Sequence, residues 1–245
     1  MIFVLPFERD FTLIGTTDED FAGDPAAVAP TGEEITYLCN SVNNYFRHTI
    51  GVGDIKWAFA GVRSLYDDGS RKPEDVTRDY HLTLDERFRE APVLTVYGGK
   101  ITTYRRLAEA VMERLRHFFH PRSDWTARVP LPGGDFAWDA LDAQVAQAQQ
   151  TWPFLEADQA RRMVQAYGTR IGRVLGAATS AEDLGAQFGA GLTEAEVRYA
   201  MQHEWAETAD DVLWRRTKLG LQVSDEQKQA LTRFMTGQRQ AGARA

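Results

Sequence analysis

VLTVYGGKITTYRRLAEA, residues 93–110, is the stretch whose reading decides the fold. Val93 to Tyr97 is almost wholly apolar, the composition of a strand covered on both sides. Gly98-Gly99-Lys100 interrupts it, and a helix then starts near Thr102. Leu107, Ala108, Val111, Met112, Leu115 and Phe119 fall on one side of that helix, and Arg105, Arg106, Glu109, Glu113 and Arg116 largely on the other, until Pro121 stops it. Two glycines let a flat surface approach the backbone without a Cβ clash. The helix start behind them offers unpaired N–H groups and a partial positive charge. That combination suits an anion, either a phosphate or the edge of a ring that becomes anionic on reduction. Gly98, Gly99, Lys100, Ile101 and Thr102 are therefore candidate ligand-binding residues. A tight turn into a helix explains the same residues, and both readings stay open. A P-loop is excluded, since Ile101 follows Lys100 where Ser or Thr is required, and Leu94 occupies the position of the first glycine.

Upstream, residues 1–16 predict a β-hairpin. Ile2 to Phe7 runs out, Glu8-Arg9-Asp10 turns, and Phe11 to Thr16 returns. Residues 17–32 read as a loop. Thr31 and Glu34 have capping-box spacing for a helix from about Glu33 to Thr49, with Ile35, Leu38, Val42, Tyr45 and Phe46 as its apolar stripe. Strands are predicted near Ile55–Leu65 and Thr77–Leu84. Alternation places Ile55, Trp57, Phe59, Gly61 and Arg63 on one face of the first, and Arg78, Tyr80, Leu82 and Leu84 on one face of the second. A guanidinium among large apolar residues must be paired or solvated. Arg63 and Arg78 either converge as a fork for a phosphate or carboxylate, or pair with nearby Asp67, Asp68 or Asp79.

Downstream, His120 to Asp135 holds three prolines and Gly133-Gly134 and reads as a linker. The expected organisation is α+β: an antiparallel sheet with flanking helices and a closing strand and helix over 1–120, a linker over 121–135, and an all-helical domain over 136–245. Thr193/Glu196 and Ser224/Gln227 look like capping boxes for helices near 194–206 and 225–237, and Gly168 and Gly220 suit helix ends. Trp214-Arg215-Arg216 with Lys218 reads either as a contact for nucleic acid or anionic lipid, or as cations covering a helix end.

The bulk properties narrow the function. The 245 residues carry a formal charge of −7 and a pI of about 5.3, a poor balance for a nucleic-acid binder. Cys39 is the single cysteine, so no internal disulfide forms. Only His117 and His120 of the five histidines are one helical turn apart, without further ligands at metal spacing, and no metal is expected. No apolar run approaches the ~20 residues of a membrane-spanning helix. The opening Met-Ile-Phe-Val-Leu-Pro-Phe lacks the marks of a signal peptide and reads as the inside of a strand, as in a partial reading frame.

Several stretches occur in one order and spacing in a known family: FVLPFERDFTLIGTTD (3–18), WAFAGVRSLYDD (57–68), TRDYHL (77–82), VYGGKITTYRRLAE (96–109), LPGG (131–134) and HEWAETADDVLWRRTKLGL (203–221). The chain resembles the carboxy-terminal half of aerobic, FAD-dependent glycerol-3-phosphate dehydrogenases. The dinucleotide fingerprint of that family's first half has no counterpart here. The resemblance implies that Arg63 and Arg78 bind the substrate phosphate or line its pocket, and that Gly98, Gly99, Lys100, Ile101 and Thr102 contact the flavin. Thr17 and Asp18 would line the site, and Ser64 stands where relatives often carry proline. The implied reaction is hydride transfer from C2 of sn-glycerol 3-phosphate to FAD, giving dihydroxyacetone phosphate, with a membrane quinone as the next acceptor. The implied partners are that substrate, the quinone, the missing amino-terminal FAD-binding half and a second copy in a homodimer, with no nucleic acid. The implied location is the inner face of the cell membrane, on the cytoplasmic side. The catalytic base is unassigned. An amino-acid or amine oxidase of the same superfamily, or a non-catalytic dimerisation or membrane-docking module, are the alternatives. The whole reading requires Arg63, Arg78 and the Gly98–Thr102 bend to face one cavity.

Overall fold

The computed structural model describes residues 2–8, 10–66, 79–87, 90–120 and 125–242. It falls into two compact units, Met1–Val129 and Pro130–Ala245. The fold is α+β. Among the described residues the four strands lie in the first unit, and the second is built from helices. β1 (Phe3–Phe7) pairs antiparallel with β2 (Phe11–Gly15) in the register Phe7↔Phe11 to Phe3↔Gly15, so the polar stretch after Phe7 makes the turn. β3 (Tyr80–Asp85) pairs antiparallel with β4 (Val93–Gly98), from Tyr80↔Gly98 to Asp85↔Val93. Along β3 the half-buried residues are Tyr80, Leu82 and Leu84, the face that alternation requires.

Three local expectations need correction. The two hairpins form separate sheets, where a single antiparallel sheet was expected. Residues 55–65 join neither. The stacked rings of Trp57 and Phe59 (centroids 4.5 Å apart) fit same-face alternation there, but the Leu65 N–H turns back to the Arg63 carbonyl at 3.0 Å, and no neighbouring strand among the described residues pairs with the segment. Alternation reports fit to a pleated surface and cannot supply the ladder partner. The helix expected over 33–49 is α1 (Gly32–Asn43), with its Thr31–Glu34 capping box complete. It ends early because the Asn43 side-chain amide bonds both backbone groups of Ile50, at 2.8 and 2.9 Å, which folds the following loop back onto the last turn. Tyr45 and Phe46 consequently leave the helix and are exposed.

β4 runs through the Gly-Gly turn and a single 3-10 turn (Ile101–Thr103) into α2 (Tyr104–Arg114), which packs on β3. No residue of α2 is buried, so its apolar stripe lacks a full cover. Thr126 returns to this helix by donating to the Glu109 carboxylate, which also pairs with Arg105 at 2.7 Å.

The second unit holds most of the core. Every buried apolar side chain among the described residues except Cys39 and Val42 belongs to it. Its helices are α3 (Leu141–Thr151), α4 (Ala157–Tyr167), α5 (Ile171–Leu175), α6 (Glu194–His203) and α7 (Asp225–Gly242). One cluster centres on Met163, Val164, Val174 and Leu184, the other on Leu192, Val197, Val212, Leu213, Leu231 and Met235. Gly168 ends α4 with φ of 54°, and a Cβ there would strike the Gly133 carbonyl oxygen. That oxygen accepts the Thr169 N–H at 3.1 Å, so the LPGG turn is pinned to the α4–α5 junction. Gly220 departs from expectation. It sits inside a 3-10 turn (Leu219–Leu221) beneath the Trp214 ring, where its role is close packing.

Candidate functional site

The Gly-Gly turn needs its glycines for two reasons visible in the backbone. Gly98 and Gly99 have φ of 67° and 95°, conformations that cost side-chain-bearing residues strain. A Cβ on Gly98 would also lie 3.2 Å from both the Asp79 carbonyl oxygen and the Tyr66 nitrogen, and 3.6 Å from the Ser64 carbonyl oxygen. The segment carrying Arg63 therefore passes directly against the turn. Tyr66 fixes that passage by stacking on His81, with centroids 4.5 Å apart and planes 19° apart, while Tyr97 lies 5.9 Å away. His81 and Tyr97 are cross-strand neighbours in the β3–β4 ladder, one step from Gly98.

Arg63 is half exposed and its Nη1 donates to Asp18 Oδ2 at 2.5 Å. The aspartates expected as its partners were Asp67, Asp68 and Asp79. The first two lie outside the described residues, and the Asp79 backbone carbonyl lies against Gly98. Arg78 also lies outside the described residues. Asp18 and Thr17 follow β2, and Thr17 Oγ1 donates to Glu34 Oε1 at 2.6 Å. The other oxygen of Glu34 accepts from the Thr31 N–H and hydroxyl, each at 2.9 Å. The Thr17 hydroxyl first, and then Thr31, hold the Glu34 carboxyl below its ordinary range. Hydrogen bonds to the ionised form have that effect.

Beyond the turn, neither Lys100 nor Thr103 places a side-chain cap on the helical start, and Ile101 is 88% exposed. Built on Gly99, a Cβ would meet Tyr80 Cβ at 3.3 Å and Leu107 at 3.8 Å, so this chain fills that side of the turn. Positive-φ glycines, an uncapped helical start and an exposed Lys100 fit the edge of a flat ring that carries negative charge.

Two surface recesses lie away from this turn. One, of about 300 Å³, is lined by Asp85, Arg87, Glu90 and Val93 at the opposite end of the β3–β4 hairpin. The other lies in the helical unit between α3 and the α4–α5 junction. The cations after Trp214 are engaged locally. Arg216 donates twice to the Glu204 carbonyl (3.0 and 2.6 Å), Arg215 pairs with Asp211 at 3.0 Å, and Lys218 Nζ reaches the Trp214 carbonyl. Arg216 thus covers the end of α6, while Arg215 and Lys218 bond within and just beyond the π-helical turn Asp211–Arg216, the helix-end alternative of the two raised for them.

Sequence reasoning missed three contributors. Glu34 was read only as a cap, and its bond to Thr17 spans seventeen positions with no periodicity to announce it. Tyr66 and His81 gave no local signal, because their stack joins residues fifteen positions apart.

Residues 125–237 match the family described as the C-terminal domain of alpha-glycerophosphate oxidase. The chain is 43% identical over 96% of its length to a glycerol-3-phosphate dehydrogenase of Pseudomonas aeruginosa, covering 46% of that protein. It is 40% identical over 96% of its length to the aerobic glycerol-3-phosphate dehydrogenase of Escherichia coli, covering 47% of it. A D-erythritol 1-phosphate dehydrogenase of Brucella abortus is 42% identical over 96% of the chain, which again covers 47% of the relative. The chain thus spans about half the length of the curated relatives it matches. Its similarity is thus to about one half of these glycerol-3-phosphate dehydrogenases, and its residues 125–237 are similar to the C-terminal domain of alpha-glycerophosphate oxidase.

Proposed function

We propose that this chain is the substrate-phosphate half of a flavin-dependent dehydrogenase that oxidises sn-glycerol 3-phosphate to dihydroxyacetone phosphate and passes the electrons to a membrane quinone. The observation that carries the reading is the packing of the Arg63 segment against the Gly98–Gly99 turn, in a chain 40–43% identical to glycerol-3-phosphate dehydrogenases. Arg63, joined by Arg78, holds the dianionic phosphate by charge-assisted hydrogen bonds. Gly98, Gly99, Lys100, Ile101 and Thr102 hold one edge of FAD, where Lys100 and the uncapped helical start favour negative charge. When bound, FAD supplies the two-electron redox chemistry, and the residues here orient substrate and exclude water. The half-length match and the incompletely covered α2 support a site completed by further polypeptide. Such a chain alone neither retains FAD nor turns over substrate. The membrane association proposed here is peripheral; no helix among the described residues is long and apolar enough to cross a membrane.

The Brucella abortus relative favours a second substrate of the same chemistry, D-erythritol 1-phosphate, whose phosphate would meet the same arginine. The test is a fusion of this chain to the half of the Pseudomonas aeruginosa relative that it does not match. Flavin bleaching under anaerobic conditions is read with each phosphate and with glycine. Bleaching by sn-glycerol 3-phosphate supports the reading. Bleaching only by D-erythritol 1-phosphate moves the substrate, and bleaching only by glycine overturns the phosphate role. Reoxidation by quinone against dioxygen decides the acceptor.

A further inference from the structure

We infer that Thr17 and Glu34 are positioning residues for Arg63, acting through Asp18. This deepens the proposed function and rests on it for what Arg63 binds. The Arg63–Asp18 pair is half exposed on both sides, 45% and 47%. A pair so exposed contributes little to stability. Its effect is on direction, since the short Nη1–Oδ2 bond draws the guanidinium toward Asp18. Asp18 can aim it only if its own backbone is held. It belongs to an irregular stretch beyond the β1–β2 ladder, which ends at Gly15. The adjacent Thr17 supplies the hold through its 2.6 Å bond to Glu34.

Glu34 is a rigid anchor. One carboxylate oxygen is taken by Thr17 and the other by the Thr31 N–H and hydroxyl. The same residue completes the capping box of α1, so the whole helix start stands behind the bond. The chain of contacts runs from the α1 N-terminus through Glu34 and Thr17 to Asp18 and Arg63. The other side of Arg63 is set by the packing of Ser64 and Tyr66 on Gly98. Arg63 is thereby held between α1 and the Gly-Gly turn, as preorganisation of an anion site demands.

The experiment has two arms. In the full chain labelled with ¹⁵N-arginine, the Arg63 side-chain signal is assigned by its loss in Arg63→Lys. The expected result is slowed guanidinium rotation in the wild type, lost in Thr17→Val and kept in Thr17→Ser. In the fusion with the Pseudomonas aeruginosa half, Thr17→Val raises KM for sn-glycerol 3-phosphate about fivefold, the effect of one side-chain hydrogen bond, with kcat nearly unchanged. Thr17→Ser restores it. An Arg63 signal indifferent to Thr17→Val, or a loss of kcat with KM constant, overturns the inference. A fusion without glycerol-phosphate turnover whose Arg63 signal still responds to Thr17→Val removes the functional reading and supports the brace.

Discussion

Glu196 is fully buried, and its cost is met by a two-point pair with Arg162, Nη1 to Oε1 and Nη2 to Oε2, both 2.7 Å. The Tyr167 hydroxyl donates to the same carboxylate at 2.8 Å, and burial followed by the Glu196 charge drives that phenol far above its ordinary range. Thr193 still caps α6 by accepting the Glu196 N–H, but the Glu196 side chain leaves the expected capping box for Arg162. Glu196→Ala should cost about 3–5 kcal/mol in urea unfolding, because it strands a largely buried guanidinium, whereas Glu196→Leu with Arg162→Met should cost less than either single change. Ala190 has φ of 49°, and Ala190→Gly should stabilise by about 1 kcal/mol in the same assay. Glu34 gives a pH dependence with a definite sign. Its folded pKa is depressed, so its contribution is present above the ordinary value of 4.5 and is lost as pH falls through the depressed one. The stability difference between wild type and Thr17→Val should shrink on acidification across that window. The spacing of Thr193 and Glu196 revealed the cap, but nothing local could reveal a partner on α4, 34 positions away.

At the scale of elements, the sequence was readable where the signal is local. The first hairpin, the strand–Gly-Gly–helix junction and the α1 cap each depend on residues within a few positions of one another, and each forms. The expected strand over 55–65 fails because pairing is a long-range property. Its alternation is real, as the Trp57–Phe59 stack shows, yet its ladder groups meet no strand among the described residues. α1 ends at Asn43 through a side-chain bond to Ile50 that periodicity does not encode. Glycines were legible as punctuation but not by role, since Gly168 closes a helix whereas Gly220 makes room for Trp214. Gly168→Ala should therefore cost about 3 kcal/mol, the upper end of the usual range for one substitution, by forcing the Gly133 carbonyl away and loosening the LPGG turn. Loss of protection at the Thr169 amide in hydrogen exchange would report it, and unchanged protection would refute the clamp.

For the whole molecule, the distribution of buried side chains separates the two units. Both core clusters lie within the helical unit, while the first unit buries only Cys39 and Val42 among the described residues. Residues 130–245 should accordingly unfold cooperatively when expressed alone, and residues 1–129 should not, as circular dichroism against temperature would show. The first unit holds Arg63 and the Gly-Gly turn, so the proposed chemistry sits on the unit with fewer buried side chains. Arg63→Ala in the fusion with the Pseudomonas aeruginosa half tests that account most directly, with KM for sn-glycerol 3-phosphate and bound FAD measured on the same preparation. The account predicts a KM raised about 10- to 100-fold with FAD content unchanged. An unaltered KM, or a parallel loss of FAD and substrate binding, would contradict it.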